Sequence, residues 1–283
     1  MSMRIAVVGN CQAIGLAHTL RWLCPDIAFE DRNWGLFSSI EEADAFAEHI
    51  TGHDIVISQI TKQPAYGALR SVQLQPRVKR MALYPKIAFT GFHPDLIRLK
   101  DVFSPLRERH SSLIAAAYLL GLPQARVADL FNAYIYAVAG FFAEYAKAEA
   151  YLAHTTRKLF ADCMGQWKAQ GVFVHVPNHP TGATLVSMAR TLATDLGLET
   201  RPDGDAPDDI FEQSVIWPVY PELARRIGVS GGMRFKPLGL HAVPVELDEM
   251  IERSYRAYAE ADPEVLRAPR VVELAEILRR EGV

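Results

Sequence analysis

One cysteine and two histidines stand where short apolar runs of the sequence end and the chain turns. Cys11 follows Gly9 and Asn10 directly after an apolar run at residues 3–8, and His93 and His179 each precede a proline in a loop. Proline restricts the residue before it to extended conformations, which stiffens both histidine loops. A thiol can act as a nucleophile and an imidazole can hold a proton, so we predict Cys11, His93 and His179 as catalytic residues.

The turn at Cys11 has the composition of a strand-to-helix junction. Gly9 allows a tight turn and a close backbone approach, and the side chain of Asn10 supplies both a donor and an acceptor. Free N–H groups at the start of the following helix, together with its dipole, favour negative charge. A thiolate, an oxyanion or a phosphate would therefore be stabilised beside Cys11.

Polar side chains near these three residues could bind substrate. Asp95 lies two residues after His93, where it could orient an imidazole or cap a helix suggested by the apolar residues at 96 and 97. The amide side chains could donate to an oxygen that becomes negatively charged during a reaction. The predicted substrate or oxyanion contacts are Asn10, Gln12, Gln59, Asp95 and Asn178.

Alternating strands and helices must position these residues. Apolar runs predict strands at residues 3–8, 27–29, 54–58 and 86–90, and helical spacing predicts helices at residues 14–24 and 41–50. Alternation of this kind is typical of an α/β fold, with a parallel sheet and helices on both faces. Ligands bind at the carboxyl ends of such strands, where Asn10, Cys11 and Gln59 are expected.

A nearly continuous helical pattern follows at residues 111–171. We predict three helices there, at residues 111–120, 124–137 and 141–170, as an inserted layer within one domain spanning residues 1–283. Further on, the sequence predicts a strand at residues 171–176 and helices at residues 183–196, 246–260 and 270–280.

The composition of the 283 residues excludes several classes of protein. A formal net charge of -3 does not suggest a nucleic-acid-binding surface. Three cysteines without Cys-x-x-Cys spacing argue against a disulfide framework and a zinc site, so we expect no metal and a reducing cytoplasm. We also expect no secretory signal and no membrane span, because the longest apolar stretch, residues 134–142, is too short.

The motifs resemble two enzyme families. The strand that ends in Gly-Asn-Cys resembles the first block of Gly-Asp-Ser type hydrolases, although the chain lacks their Asp-x-x-His motif. The chain is more similar to the capsular-polysaccharide-biosynthesis acetyltransferases of the WcbI type. That likeness rests on Val-Val-Gly-Asn-Cys-Gln-Ala at the start, Gly-Phe-His-Pro-Asp at residues 91–95, His-Ser at residues 110–111 and Asn-His-Pro at residues 178–180.

The second resemblance implies a cytoplasmic transfer of an acyl group, acetyl by expectation, from coenzyme A to a sugar hydroxyl. Cys11 would either attack the thioester itself or line the site while a histidine deprotonates the sugar. The predicted coenzyme contacts are Gly9, Ser111, Arg234 and Lys236. Further candidate partners for the coenzyme's phosphates are Lys62, Arg77, Lys79, Arg80 and Lys86.

Two other functions remain open on the sequence alone. The same residues could hydrolyse an ester or a thioester. Alternatively, the protein could bind a nucleotide or a glycan without catalysis, with Cys11 as a structural residue.

Overall fold

The structure is a computed structural model that describes residues 3–156, 163–202 and 204–283. The strands, in chain order, are β1 (Arg4–Gly9), β2 (Ala28–Asn33), β3 (Ile55–Gln59), β4 (Met81–Tyr84), β5 (Leu96–Arg98), β6 (Arg109–Ser111), β7 (Val174–Val176) and β8 (His179–Pro180). The α-helices, in the same order, are α1 (Cys11–Leu23), α2 (Ile40–Ile50), α3 (Ser71–Leu74), α4 (Ser112–Leu119), α5 (Gln124–Val127), α6 (Ala133–Val138), α7 (Phe141–Thr156), α8 (Cys163–Ala169), α9 (Gly182–Leu196), α10 (Pro221–Ile227), α11 (Leu247–Glu260) and α12 (Pro269–Arg280).

The chain divides into two compact units, each built from several segments. The first unit comprises Met1–Ala88, Tyr151–Val174 and Asn178–Phe211, and the second comprises Phe89–Ala150, His175–Pro177 and Glu212–Val283. The single-domain organisation with a helical insertion at residues 111–171 stays a prediction. Among the described residues, no helix combines the length and the apolar character that a bilayer crossing requires.

The first unit contains a four-stranded parallel sheet in the order β2-β1-β3-β4. The side chains of Ile5, Ala6, Val7 and Val8 in β1 are all fully buried. A strand that is apolar on both faces is typical of a parallel sheet covered by helices on both sides. The predicted α/β class with a parallel sheet flanked by helices is confirmed.

The connections of this sheet create a site for ligands. The chain runs from β1 through α1 to β2 on one side, then through α2 to β3 on the other side of β1. The carboxyl ends of β1 and β3 therefore flank the point at which the strand order reverses, where open α/β sheets bind ligands. Helix α1 packs against α9, and α2 covers the sheet through Ala43, Ala47 and Ile50.

The predicted strand at residues 86–90 is wrong, and the fourth strand, β4, lies earlier in the chain. Pro85 follows β4 directly and cannot donate a ladder hydrogen bond. The backbone beyond it pairs elsewhere: Ile87 bonds to a side chain in α1, and the amide of Phe89 donates to the carbonyl of Pro177 at 2.8 Å.

The second unit is built around α4, an apolar helix whose residues from Ser112 to Ala117 are buried. Helices α11 and α12 both pack on α4, and the strands β5 and β6 form an antiparallel pair just before it.

The structure revises the predicted helices of residues 111–171. The predicted helix 124–137 is interrupted, because Phe131 leaves helical geometry and Asn132 caps a new helix, α6. The predicted helix 141–170 corresponds to α7 and α8, and residues 157–162 between them lie outside the described residues.

Candidate active site

Cys11 is the first residue of α1 and is partly exposed. The preceding residue, Asn10, is the helix N-cap, and its side-chain oxygen accepts a hydrogen bond from the backbone N–H of Gln12 at 3.0 Å. Helix α1 has 13 residues, so a substantial helix dipole points its positive end at the thiol. The predicted strand, turn and helix around Cys11 are thus present.

Gly9 is required because a tyrosine lies against the turn. A Cβ at residue 9 would stand 2.2 Å from the hydroxyl oxygen of Tyr84 and 3.0 Å from the Cβ of Gln59. That tyrosine is fully buried and donates to the carbonyl of Val8 at 3.3 Å. Burial, with a smaller contribution from negative charge at Cys11, raises the pKa of Tyr84 well above its usual value, which keeps its hydroxyl protonated.

Amide side chains from two strand ends meet beside Cys11. The side-chain oxygen of Gln59, the last residue of β3, accepts from the backbone N–H of Asn10 at 3.3 Å, and its nitrogen donates back to Asn10 Oδ1 at 3.3 Å. The oxygen of Asn10 is therefore occupied by two donors. Within the described part of the chain, the Nδ2 group of Asn10 has no hydrogen-bond partner and can donate to a ligand.

Gln12 holds three segments of the first unit together. Its nitrogen Nε2 donates to the carbonyls of Ile87, at 2.6 Å, and Asn178, at 2.9 Å. Its oxygen accepts from the backbone N–H of Ile87 at 3.0 Å and from Nε2 of Gln59 at 3.2 Å. Because this side chain is fully buried and all its bonds are used, it positions the loop of Asn178.

Asn178 lies next to the thiol. Its Nδ2 group is the donor to the Sγ atom of Cys11, at 3.9 Å. The following residue, His179, is half-buried in β8, and its ring stacks on Phe211 with centroids 4.7 Å apart. Strand β8 packs against α1, so the loop that carries both residues is fixed against the helix that begins with Cys11.

His93 belongs to the second unit and is buried. Its Nε2 atom lies 2.9 Å from the carbonyl oxygen of Trp217, so this nitrogen carries the proton and donates it. Its Nδ1 atom is buried and, within the described residues, has no hydrogen-bond partner. Burial lowers the pKa of His93 to about 3, so the imidazole is neutral at physiological pH.

A cavity of about 470 Å³ lies within the second unit, and His93 is one of its lining residues. Its charged lining residues are Glu144, Lys147, Arg270 and Glu273. Apolar side chains such as Leu96, Val138 and Ile277 complete the lining, so the cavity has both charged and apolar walls.

Asp95 caps a helix, although not the predicted one. Residues 96 and 97 belong to strand β5, so the helix expected there is wrong. The fully buried carboxylate instead accepts from the hydroxyls of Ser112, at 2.8 Å, and Tyr220, at 2.6 Å, and from the backbone N–H of Leu113, at 2.9 Å. Burial raises the pKa of Asp95 above its usual value, against the lowering effect of these hydrogen bonds.

Ser111 is the N-cap of α4 and is fully buried. Its hydroxyl accepts from the backbone N–H of Ile114 at 3.1 Å. The neighbouring His110 is also buried, with its two ring nitrogens near the hydroxyl of Tyr258 and the carbonyl of Val102. Both residues therefore have structural partners in the second unit.

Two predicted phosphate partners already have partners in the protein. The ammonium of Lys236 donates to the carbonyls of Glu212, Ser214 and Gly239, and the guanidinium of Arg234 pairs with Glu246 at 2.8 Å. Of the other candidates, Arg77 pairs with Glu48, Lys79 pairs with Asp54 and Arg80 donates to the carbonyls of Asp195 and Leu196. Lys62 and Lys86 are exposed, and no ion pair joins either to another described residue.

The structure brings the residues around Cys11 together within the first unit: Gly9, Asn10, Gln12, Gln59 and Asn178. His179 follows directly on this cluster in the chain. His93, Asp95, Ser111, Arg234 and Lys236 belong to the second unit. Tyr84 and the backbone of Ile87 contribute to this cluster and are not among the residues predicted from the sequence. The signal for Tyr84 was its place at the end of a strand beside β3, where it pairs with Gln59.

Comparison with known proteins gives one matching family. The sequence profile of that family, described as the polysaccharide biosynthesis enzyme WcbI, matches residues 4–201. This range contains Cys11, His93 and His179 and ends before Arg234 and Lys236. A search of curated proteins finds no match.

A solved structure has the same fold. It superposes with a TM-score of 0.74 over 99% of each chain, at 16% sequence identity. Its authors describe WcbI as a novel polysaccharide biosynthesis enzyme, and this form as native protein without a disulfide bond between coenzyme A and one of its cysteines. At this identity the likeness concerns the fold.

Proposed function

The chain belongs to the WcbI family of polysaccharide biosynthesis enzymes, and from this premise we propose that it is a coenzyme A-dependent O-acyltransferase. It transfers an acyl group, acetyl by expectation, to a sugar hydroxyl. Three cysteines without Cys-x-x-Cys spacing suit a reducing compartment, so we place this activity in the cytoplasm. The observation that supports this proposal most strongly is the partly exposed thiol of Cys11, with an amide donor of Asn178 3.9 Å from its sulfur.

The cysteine of this chain that meets the coenzyme is Cys11. Coenzyme A and a cysteine are named together for the solved relative. Of the three cysteines here, Cys24 and Cys163 are buried, and Cys11 is partly exposed at a ligand-binding edge of the sheet. Substrate can therefore reach the thiol of Cys11 without any movement of the buried side chains around it.

In the covalent version of the reaction, the sulfur of Cys11 attacks the carbonyl carbon of the acyl-coenzyme A thioester. The bond from that carbon to the coenzyme sulfur breaks, and the coenzyme thiolate leaves with the proton given up by Cys11. The sugar hydroxyl then gives its proton to the base and attacks the acyl-cysteine. The bond from the carbonyl carbon to the Cys11 sulfur breaks as the ester bond forms, and the proton returns to the Cys11 thiolate. In the direct version, the sugar hydroxyl gives its proton to the base and attacks the coenzyme thioester, the coenzyme leaves as the thiol with that proton, and Cys11 lines the site.

Both versions develop negative charge on the carbonyl oxygen, and two amide groups are positioned to stabilise it. These are Nδ2 of Asn10, which has no partner among the described residues, and Nδ2 of Asn178 beside the sulfur. Gln12 and Gln59 act as positioning residues, because their amides bind other protein groups. Loss of one oxyanion donor commonly lowers turnover on the order of 100- to 1000-fold.

We assign the general base to His179 rather than to His93. A base works best when its pKa lies near the working pH, and the pKa of His93 is lowered to about 3. His93 also directs its protonated nitrogen to the carbonyl of Trp217. His179 adjoins Asn178, whose amide already contacts Cys11.

Among the cations predicted from the sequence as partners of the coenzyme's phosphates, we favour Lys62 and Lys86. Lys62 and Lys86 follow closely on β3 and β4, at the carboxyl edge of the sheet where Cys11 lies. Their ammonium groups are exposed, whereas Lys236 is held by three carbonyls. A phosphate at this edge would also be favoured by the N-terminus of α1.

The test incubates the protein with acetyl-coenzyme A, with and without a panel of nucleotide sugars. Free coenzyme is followed by chromatography rather than by a thiol reagent, because Cys11 itself could react with the reagent. We expect release of coenzyme that requires a sugar, together with an acetylated sugar. Release at the same rate without sugar would mean hydrolysis, and binding without release would mean a non-catalytic binding protein; either result would overturn the proposal.

Variants of the two histidines test the choice of base in the same assay. We expect His179→Gln to lower kcat on the order of 100-fold or more, as is common for loss of a general base. The matched change His93→Gln should lower kcat much less. The opposite order of the two effects would contradict the assignment.

A further inference from the structure

A second cluster of chemically active side chains lies in the first unit, away from the Cys11 turn. It joins the edge strand β2, which carries Glu30, to the end of α2, which carries His49, and to the turn after it, which carries His53. The Nε2 atoms of both histidines lie 3.0 Å from the same carboxylate oxygen of Glu30. The ligand atoms of the three residues all lie within 4.8 Å of one another.

This set of atoms suits a transition-metal ion. Zn²⁺ binds imidazole nitrogen and carboxylate oxygen at about 2.0–2.2 Å, usually in a tetrahedron. Two ligand atoms of such a tetrahedron are roughly 3.3 Å apart, so small movements would bring the carboxylate and both imidazoles to a common ion. Three protein ligands would leave one position for water.

The two histidines reach Glu30 from a buried and an exposed position. His53 is 1% exposed, so its ring is held within the first unit. Its Nδ1 atom is buried and has no partner among the described residues, so Nε2 is the nitrogen directed at a shared ligand. His49 is half-exposed, which gives an ion access from solvent.

We propose that Glu30, His49 and His53 form a binding site for a divalent transition-metal ion, with Zn²⁺ as the best match. The ion ties the edge strand β2 to the carboxyl end of α2 and stabilises the first unit. The guanidinium of Arg4, whose nitrogen is 3.5 Å from Nε2 of His53, repels the ion and limits its affinity. Hard cations such as Mg²⁺ prefer oxygen ligands and bind weakly here.

The experiment measures binding of Zn²⁺ to protein stripped with a chelator, by calorimetry, and binding of Co²⁺ by its visible absorption. All variants carry Cys11→Ser, so that thiol binding at the other site is not counted. We expect one ion per chain and a tetrahedral Co²⁺ spectrum. Glu30→Gln and His49→Gln should each weaken binding on the order of 100-fold, because a ligand is lost.

Two further variants make the result specific. His241→Gln removes an exposed histidine far along the chain and should leave Zn²⁺ binding unchanged. Arg4→Gln removes the nearby positive charge and should tighten binding severalfold. Saturating Zn²⁺ should also raise the thermal unfolding midpoint of the Cys11→Ser protein but not that of the Glu30→Gln variant.

The proposal is overturned if the Glu30→Gln and His49→Gln variants bind Zn²⁺ as tightly as the parent Cys11→Ser protein does. It is also overturned if the chelator-stripped protein takes up no Zn²⁺. Melting curves of all variants in chelator show whether each one is folded, so loss of binding through unfolding is recognised.

Discussion

Cys11 differs from the other two cysteines through its neighbours rather than its chemistry. It begins α1, is partly exposed and contacts the amide of Asn178. Cys163, by contrast, is buried and lies 3.2 Å from the hydroxyl of Thr191. These positions are the reason why we propose a chemical role for Cys11 and a packing role for Cys163.

The first prediction concerns Cys11→Ser. A serine hydroxyl is a far weaker nucleophile than a thiol at neutral pH, so acyl transfer should fall on the order of 100-fold or more. Mass spectrometry of wild-type protein with acetyl-coenzyme A, without acceptor, should detect an acetyl group on the peptide that contains Cys11. Rates come from steady-state assays of the acetylated sugar.

Cys163→Ser is the matched control for this variant, because a serine hydroxyl can keep the hydrogen bond with Thr191. Its activity should equal that of the wild type. Full activity of Cys11→Ser, with no acetyl-cysteine detected, would contradict the covalent version of the mechanism.

Some of these residues could be predicted from local sequence and some could not. Asn10 and Cys11 follow from Gly-Asn-Cys at the end of an apolar run, and Gln59 follows from its place at the end of the apolar run that forms β3. The role of Gln12 could not be predicted, because its partners Ile87 and Asn178 are 75 and 166 residues away. Contacts over such separations leave no local pattern.

At the scale of elements, the end of β1 and the end of β4 are closely packed. Gly9 leaves room for the phenol of Tyr84, whose hydroxyl oxygen would be 2.2 Å from a Cβ at residue 9. This contact holds the turn before Cys11 against the neighbouring strands. The shape of the candidate site therefore depends on a glycine and a tyrosine from different strands.

The second prediction is that Gly9→Ala destabilises the protein and that Tyr84→Phe partly rescues it. Overpacking of a closely packed site costs about 1–3 kcal/mol, and removal of the hydroxyl removes the shortest contact. Urea unfolding of the two single variants and the double variant gives the coupling free energy. If the double variant loses as much unfolding free energy as the two single variants together, the contact with Tyr84 is not the reason why residue 9 is glycine.

The sheet was largely predictable, with the exception of its last strand. Apolar runs marked β1 and β3, because buried parallel strands have no polar face. The run Lys86-Ile87-Ala88-Phe89-Thr90 has the same appearance, yet its backbone binds the Gln12 side chain and Pro177 instead of a strand. Side-chain pairing of this kind overrides a strand pattern and is not visible in the sequence.

At the scale of the whole molecule, buried histidines link stability to pH. Burial lowers the pKa of His93 to about 3 and that of His110 to about 4, whereas both titrate near 6.5 in the unfolded chain. Between these values the unfolded state binds protons that the folded state does not. Stability is therefore full above about pH 6.5 and falls as the pH is lowered toward 4.

The third prediction follows from this linkage. At pH 5, each of the two histidines should lower the free energy of unfolding by up to about 2 kcal/mol relative to neutral pH. Asp95 acts in the opposite sense, because burial raises its pKa. Urea unfolding at pH 7.5 and pH 5 measures the effect, and His110→Asn should reduce the difference between the two.

An unchanged free energy of unfolding between pH 7.5 and pH 5 would contradict the burial of neutral histidines. If the free energy of unfolding of His110→Asn changes between pH 7.5 and pH 5 as much as that of the wild type, groups other than His110 cause the pH dependence. His53, whose pKa burial also lowers, contributes in the same direction from the first unit.

We propose that acyl transfer from coenzyme A takes place at Cys11, with the Asn10 and Asn178 amides stabilising the carbonyl oxygen. A crystal structure of the protein with coenzyme A is the decisive measurement. We expect the coenzyme's sulfur beside Sγ of Cys11, within reach of the Asn10 and Asn178 amides, and its phosphates toward Lys62 and Lys86. Coenzyme A bound elsewhere, with its sulfur far from Cys11, would show that the Cys11 turn is not the site of transfer.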